Sequence, residues 1–165
     1  AGAMVIVNTV VFVRARFDLG STEVAWALAV AGAGSMIAAF SIPGLLQRFP
    51  ERPVMISGGA LLAIGLVAAG LAADYPALMV TWLVLGVGLA VVQTPAGRLI
   101  QRSVTGDDGP DLFAAQFSLS HACWLVTYPL AGVLGTALGL QAVAWILAAV
   151  AAVAVAVAAA QPVDW

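Results

Sequence analysis

Six apolar runs, each separated from the next by a short polar break, leave this chain few ways to fold. A bilayer core is about 30 Å thick and a helix rises about 1.5 Å per residue, so a span needs roughly 17–25 apolar residues. Lipid offers no partner to a backbone N–H or C=O, and a helix satisfies both within its own segment. The runs predict helices at about 2–17, 23–46, 54–73, 77–97, 112–136 and 140–160. The expected fold is all-α, a polytopic bundle of six transmembrane helices.

Composition agrees. The chain is 63% hydrophobic and 8% charged, against roughly 25% charged in soluble domains. No basic cluster is large enough to hold nucleic acid. The single cysteine excludes an internal disulfide and a cysteine-based zinc cluster. All six basic residues are arginine, a usage that fits a GC-rich bacterial genome.

The first run is the short one. It reaches Phe17 only if Arg14 and Arg16 snorkel to the interface, and it lacks the basic start and cleavage pattern of a signal peptide. A first helix clipped from a longer protein is the expectation.

Small residues mark where helices meet. Ala27, Ala31, Ser35 and Ala39 recur every four residues in the second run, and Trp82, Gly86, Ala90, Gln93 and Gly97 share a stripe of the fourth. Such stripes let two backbones approach closely in a membrane. Ala131, Gly135 and Gly139 form a third ladder. Ser21-Thr22-Glu23 reads as a helix start, Asp74-Tyr75-Pro76 as a tight turn, and Gln93-Thr94-Pro95 as a local break or helix exit. The segment from Arg98 to Asp111 reads as the longest polar one, and the third and sixth runs as peripheral, lipid-facing helices.

The ranking of polarity repeats with a period of three. The first and fourth runs carry Asn8-Thr9 and Gln93-Thr94, the second and fifth carry small or polar stripes, and the third and sixth are nearly bare. Two three-helix units in series, each with an odd number of spans, must be inverted relative to one another. Inverted repeats place binding sites of secondary transporters near the bilayer midplane. Arg48, Arg52, Arg98 and Arg102 fall on the side of the termini and only Arg14 and Arg16 on the other, so the positive-inside rule predicts cytoplasmic termini.

The fifth run concentrates the chemistry. Between Gln116 and Tyr128 stand the only histidine, the only cysteine and one of two tyrosines. At about 100° per residue, Gln116, Ser120, Cys123 and Thr127 share one side, with Trp124, Phe117, Tyr128 and His121 continuing round it. His121 lies nine residues after Leu112, about 14 Å into the core and close to the midplane. An ionisable residue at that depth is a functional candidate, and imidazole suits proton coupling; the plainer role is a neutral histidine bonded to a neighbouring helix. Trp82, Trp124, Tyr128 and Phe117 would serve as an aromatic wall or, for Trp82 and Tyr128, as interfacial anchors. His121 and Cys123 point about 200° apart on a helix and cannot share a metal ion. No metal and no cofactor is expected.

The whole chain resembles the C-terminal six-helix half of a major facilitator superfamily transporter. The resemblance is carried by the six-helix pattern and in part by Gly44-Leu45-Leu46-Gln47-Arg48-Phe49-Pro50-Glu51-Arg52. There Gly44, Arg48 and Arg52 match the family's Gly-x-x-x-Asp-Arg-x-Gly-Arg-Arg loop signature if one position is dropped. Gln47 stands where the signature has its acid and Pro50 where it has glycine. The resemblance implies a fragment of a twelve-helix permease of the bacterial inner membrane, an ion-coupled exporter of a small solute whose N-terminal half is its partner. The first helix of each triplet would line the cavity, the second would meet the other half, and the third would lie outside. On that reading Asn8, Gln93, Gln116, Ser120, His121 and Trp124 face the pathway or the interface between halves.

No carboxylate falls mid-span, because Asp18, Glu23, Glu51, Asp74, Asp107, Asp108, Asp111 and Asp164 map to loops or helix ends. A proton-driven carrier would take its carboxylate from the other half or use His121. A rhomboid-like intramembrane protease needs Gly-x-Ser-Gly, whereas Gly34-Ser35 is followed by Met36 and Ile37; no enzyme is expected. A six-helix membrane subunit that transports nothing is the other alternative.

Overall fold

The computed structural model describes residues 1–104 and 108–161, and among them six helices and no strand. Helix α1 (Gly2–Val11) passes directly into a π turn (Phe12–Arg16), followed by α2 (Ser21–Leu45), α3 (Glu51–Leu71), α4 (Tyr75–Ser103), α5 (Gly109–Leu138) and α6 (Leu140–Ala160). The five helices from α2 to α6 are long and apolar enough to cross a membrane. The first, even with its π turn, is shorter than a span.

Several ends differ from the sequence reading. Helix α2 begins at Ser21 without a side-chain cap from Ser21 or Thr22; instead the Gly20 N–H donates to Glu23 Oε2 at 2.9 Å. Helix α3 begins at Glu51 rather than near 54, so Glu51 and Arg52 belong to a helix and not to a loop. Pro53 is tolerated there because first-turn N–H groups have no intrahelical partner. Helix α4 runs unbroken through Pro95 to Ser103. The expected break after Gln93 is absent, and Arg98 and Arg102 ride on the last turns of a helix. Asp107, Asp164 and the tail from Pro162 lie outside the described residues.

The turn before α4 is as expected. Asp74 caps the helix by accepting from the Ala77 N–H at 2.8 Å, with Pro76 in the first turn. Asp74→Ala is expected to cost about 1 kcal/mol, the usual worth of an N-cap, measurable as a lower unfolding free energy in detergent.

Burial ranks the helices. Of the most apolar stretch of each, 39% is buried in α4 and 33% in α3, against 6% in α5. Helix α4 is therefore the core, packed between α2 and α3; α3 also pairs with α6, while α1 lies against α5 and α2. The third run, expected to face lipid over much of its surface, packs on two sides, against α4 and α6. Its glycines explain this: Gly58 and Gly65 accept side chains of α4, and Gly59 and Gly70 accept Val155 and Trp145 of α6.

At the α2–α4 contact the backbones nearly touch. A Cβ on Gly86 would collide with the Ala31 carbonyl, and one on Gly34 with that of Leu83. Ser35 Oγ bridges the pair, 2.9 Å from the Gly86 carbonyl and 3.2 Å from that of Ala31. One turn before Gly86, Trp82 is fully buried, meets Phe12 edge-on at 5.5 Å and donates from Nε1 to Thr9 Oγ1 at 2.7 Å. Trp82 is thus a core residue and stands apart from any aromatic wall or interfacial belt.

Candidate functional site

Across the gap between α4 and α5 lies a cleft of about 480 Å³, floored by Met55 of α3. Gln93 lines it from α4, and Phe113, Gln116, Phe117, Ser120 and Trp124 line it from α5. Four of the six expected pathway residues, Gln93, Gln116, Ser120 and Trp124, therefore share one cleft. Gln93 also lines a second depression beside Ser35, Met36 and Thr94, so its carboxamide stands at the junction of two clefts.

The cleft exists because α5 is held only at one end. Its C-terminal half packs on α1 and α6 through Ala131 and Gly135, where small side chains permit close approach. Its N-terminal half, from Asp111 to Leu119, is exposed throughout.

Aromatic rings climb the exposed side of α5 at helical spacing. Phe117 and His121 have ring centroids 3.8 Å apart, His121 and Trp124 4.8 Å, and Trp124 and Tyr128 6.0 Å with planes only 10° apart. His121 Nδ1 lies 2.8 Å from the Phe117 carbonyl. A carbonyl can only accept, so Nδ1 is the donor in that bond and the neutral ring presents Nε2 as an acceptor. Ser120 Oγ donates to the Gln116 carbonyl at 2.8 Å, while Gln116 Nε2 reaches Ser120 Oγ only at 3.4 Å. The Gln116 amide is thus weakly engaged.

His121 borders a separate shallow depression with Ala122, Trp124, Leu125, Tyr128 and Pro129. It touches the cleft through Trp124 and is not among its lining residues. Asn8 is elsewhere. It is 1% exposed, donates from Nδ2 to Met4 Sδ at 3.2 Å, and sits against Gly135 where α1 crosses α5.

The loop-signature residues are dispersed. Gly44 ends α2 in open space, Arg48 is exposed in the following turn, and Arg52 turns its guanidinium onto the end of α6. There Nη2 donates to the Ala158 carbonyl at 3.0 Å and the Ala159 carbonyl at 3.1 Å, and also to that of Gln161. Cations at a helix C-terminus offset its partial negative charge.

Sequence reasoning missed a cluster beside that site. The Glu51 side chain is 8% exposed and holds Arg102 Nη1 at 2.6 Å and Arg98 Nη2 at 3.6 Å. Neither contact is aligned as a hydrogen bond, since Oε1 has no hydrogen-bond partner among the described residues, so the attraction is one of charge. The signal was present in the sequence. Arg98 and Arg102 are four apart and share a helix face, which extending the fourth helix past Pro95 would have shown. Phe113, Met55 and Ile100 were also missed as lining residues, because an apolar residue in an apolar run carries no mark of the cleft it faces.

Among the described residues no group of three or more His, Cys, Asp or Glu side chains could hold a metal ion. What the cleft offers is amide, hydroxyl and aromatic chemistry, suited to binding rather than to bond-making. A comparison with curated proteins finds no match. The family model of the Major Facilitator Superfamily matches residues 1–163, and the chain belongs to that superfamily of membrane transporters.

Proposed function

We propose that the chain is the C-terminal six-helix half of a secondary transporter that moves a small solute by alternating access, as an ion-coupled exporter of a bacterial inner membrane with cytoplasmic termini. The observation that carries this reading is the exposed polar face at the middle of α5. His121 and Trp124 flank the midpoint of a 30-residue helix, where His121 is exposed, and in the turns before it Gln116 is exposed and Ser120 half-buried. Polar groups at that depth cost several kcal/mol if lipid surrounds them, so water, a substrate or a second half has to meet them. Two three-helix units of inverted topology would place Gln93 of α4 and the α5 face at the central cavity. The Nε2 acceptor of His121 is the group available for proton coupling in a half that has no mid-span carboxylate.

In the full-length protein reconstituted into vesicles, Gln116→Ala and His121→Ala are each expected to slow gradient-driven transport about tenfold. That is the kinetic equivalent of one hydrogen bond, about 1.4 kcal/mol. A non-transporting subunit would instead leave the activity of the assembly intact in both variants.

A further inference from the structure

The lining of the α4–α5 cleft is selective about charge. Its residues include neither carboxylate nor arginine, although six arginines and eight acids are present in the chain. An ion seated there would lose its hydration without gaining a counter-charge. Aromatic faces attract cations, but a ring alone does not replace a full hydration shell.

The same lining provides flat apolar surface and neutral hydrogen-bonding groups. Phe113, Phe117 and Trp124 present rings, and the near-parallel Trp124–Tyr128 pair extends that surface along α5. Facing them, the Gln93 carboxamide makes no side-chain hydrogen bond among the described residues, so its donors and its acceptor are available to a ligand. Gln116 gives up little to do the same, since its link to Ser120 is 3.4 Å long. A cleft of about 480 Å³ is of small-molecule size.

Resting on the transport reading above, we infer that the ligand of this cleft is an uncharged, flat, amphipathic ring compound. Its faces lie against Phe117 and Trp124, and its edge groups bond to Gln93 and Gln116.

Equilibrium binding of three radiolabelled probes to the purified full-length protein tests this: flavone (neutral and flat), ethidium (a cation) and 1-naphthalenesulfonate (an anion). Flavone is expected to bind saturably, with Gln116→Ala and Trp124→Ala each weakening it about tenfold. Gln116→Asn, which keeps the carboxamide, is expected to retain most of the binding and so to separate lost chemistry from lost folding. The two ions are expected to bind at least about tenfold more weakly than flavone. Flavone binding that is absent, or indifferent to both Gln116→Ala and Trp124→Ala, would overturn the inference. So would an ion that binds as tightly as flavone and is lost with Gln116→Ala. Transport is read separately in vesicles. Flavone held at these residues by a protein that moves no solute would overturn the transporter reading and leave the ligand class standing.

Discussion

Gly86→Val is expected to destabilise the protein by about 3 kcal/mol or more, the upper end of what overpacking costs. Most overpacked sites relax by moving a side chain. Here a Cβ on Gly86 meets the backbone carbonyl of Ala31, and the reciprocal position, Gly34, meets that of Leu83. Only a separation of α2 from α4 makes room, and that separation also breaks the Ser35 bridge to the Gly86 carbonyl. Gly32→Ala is the control, because it lies on the exposed side of α2 with nothing within 4 Å of its Cβ. Relief of the glycine entropy cost in a helix is worth about 0.5–1 kcal/mol, so this second variant is expected to be neutral or slightly more stable. Unfolding by denaturing detergent measures both, and equal effects would refute the close-contact account of the α2–α4 pair.

Trp82→Ala carries the second large effect, about 3–5 kcal/mol for removal of a buried indole. Trp82 fills the space between α4, α1 and the π turn, with no exposure at all. Its edge-on contact with Phe12 contributes about 0.5–1.5 kcal/mol beyond area alone, and its N–H donates to Thr9 Oγ1 in the buried core. Trp82→Phe separates the terms. It keeps most of the ring and loses the hydrogen bond, and is expected to cost about 1 kcal/mol. A loss below 1 kcal/mol for the alanine variant, read by the same unfolding measurement, would mean that α1 is not docked through this residue.

How much of this was legible depended on which physical signal each feature leaves. Run length alone placed α2 to α6, because lipid enforces helices wherever the chain is apolar for long enough. The small-residue stripe of α2 was legible only at its start. Ala27 and Ala31 are buried, but the face then passes to Gly34, Ala38 and Ile42, leaving Ala39 exposed. A strict four-residue interval advances about 400° on a helix of about 100° per residue, so a stripe drawn that way drifts about 40° per step. The helix contact itself does not drift.

Termini were least legible. Pro95 read as a local break or an exit, yet α4 continues to Ser103. In the interior of a bundle, neighbouring helices make good what a proline removes. That one misreading hid the Glu51–Arg98–Arg102 cluster, since it left both arginines in a supposed loop.

The candidate site was legible as chemistry and not as geometry. Gln93, Gln116, Ser120 and Trp124 stood out as polar or aromatic residues within apolar runs, and the structure gathers them at one cleft. Asn8 stood out on the same grounds but is turned inward against Gly135. Helical phase within one run cannot say which neighbour a face meets, and the glycine that makes room for Asn8 lies on another helix.

The most direct test of the transport pathway is cysteine labelling of the full-length protein in its membrane, in a Cys123→Ser background, with a membrane-impermeant maleimide. Gln93→Cys, Gln116→Cys, Ser120→Cys and Trp124→Cys are compared with Val150→Cys and Val153→Cys, which sit exposed on α6. The expected result is that the four cleft positions react and the two α6 positions, facing lipid, do not. Cleft positions as unreactive as Val150→Cys and Val153→Cys would contradict the account, because they would show the polar face of α5 sealed from water throughout.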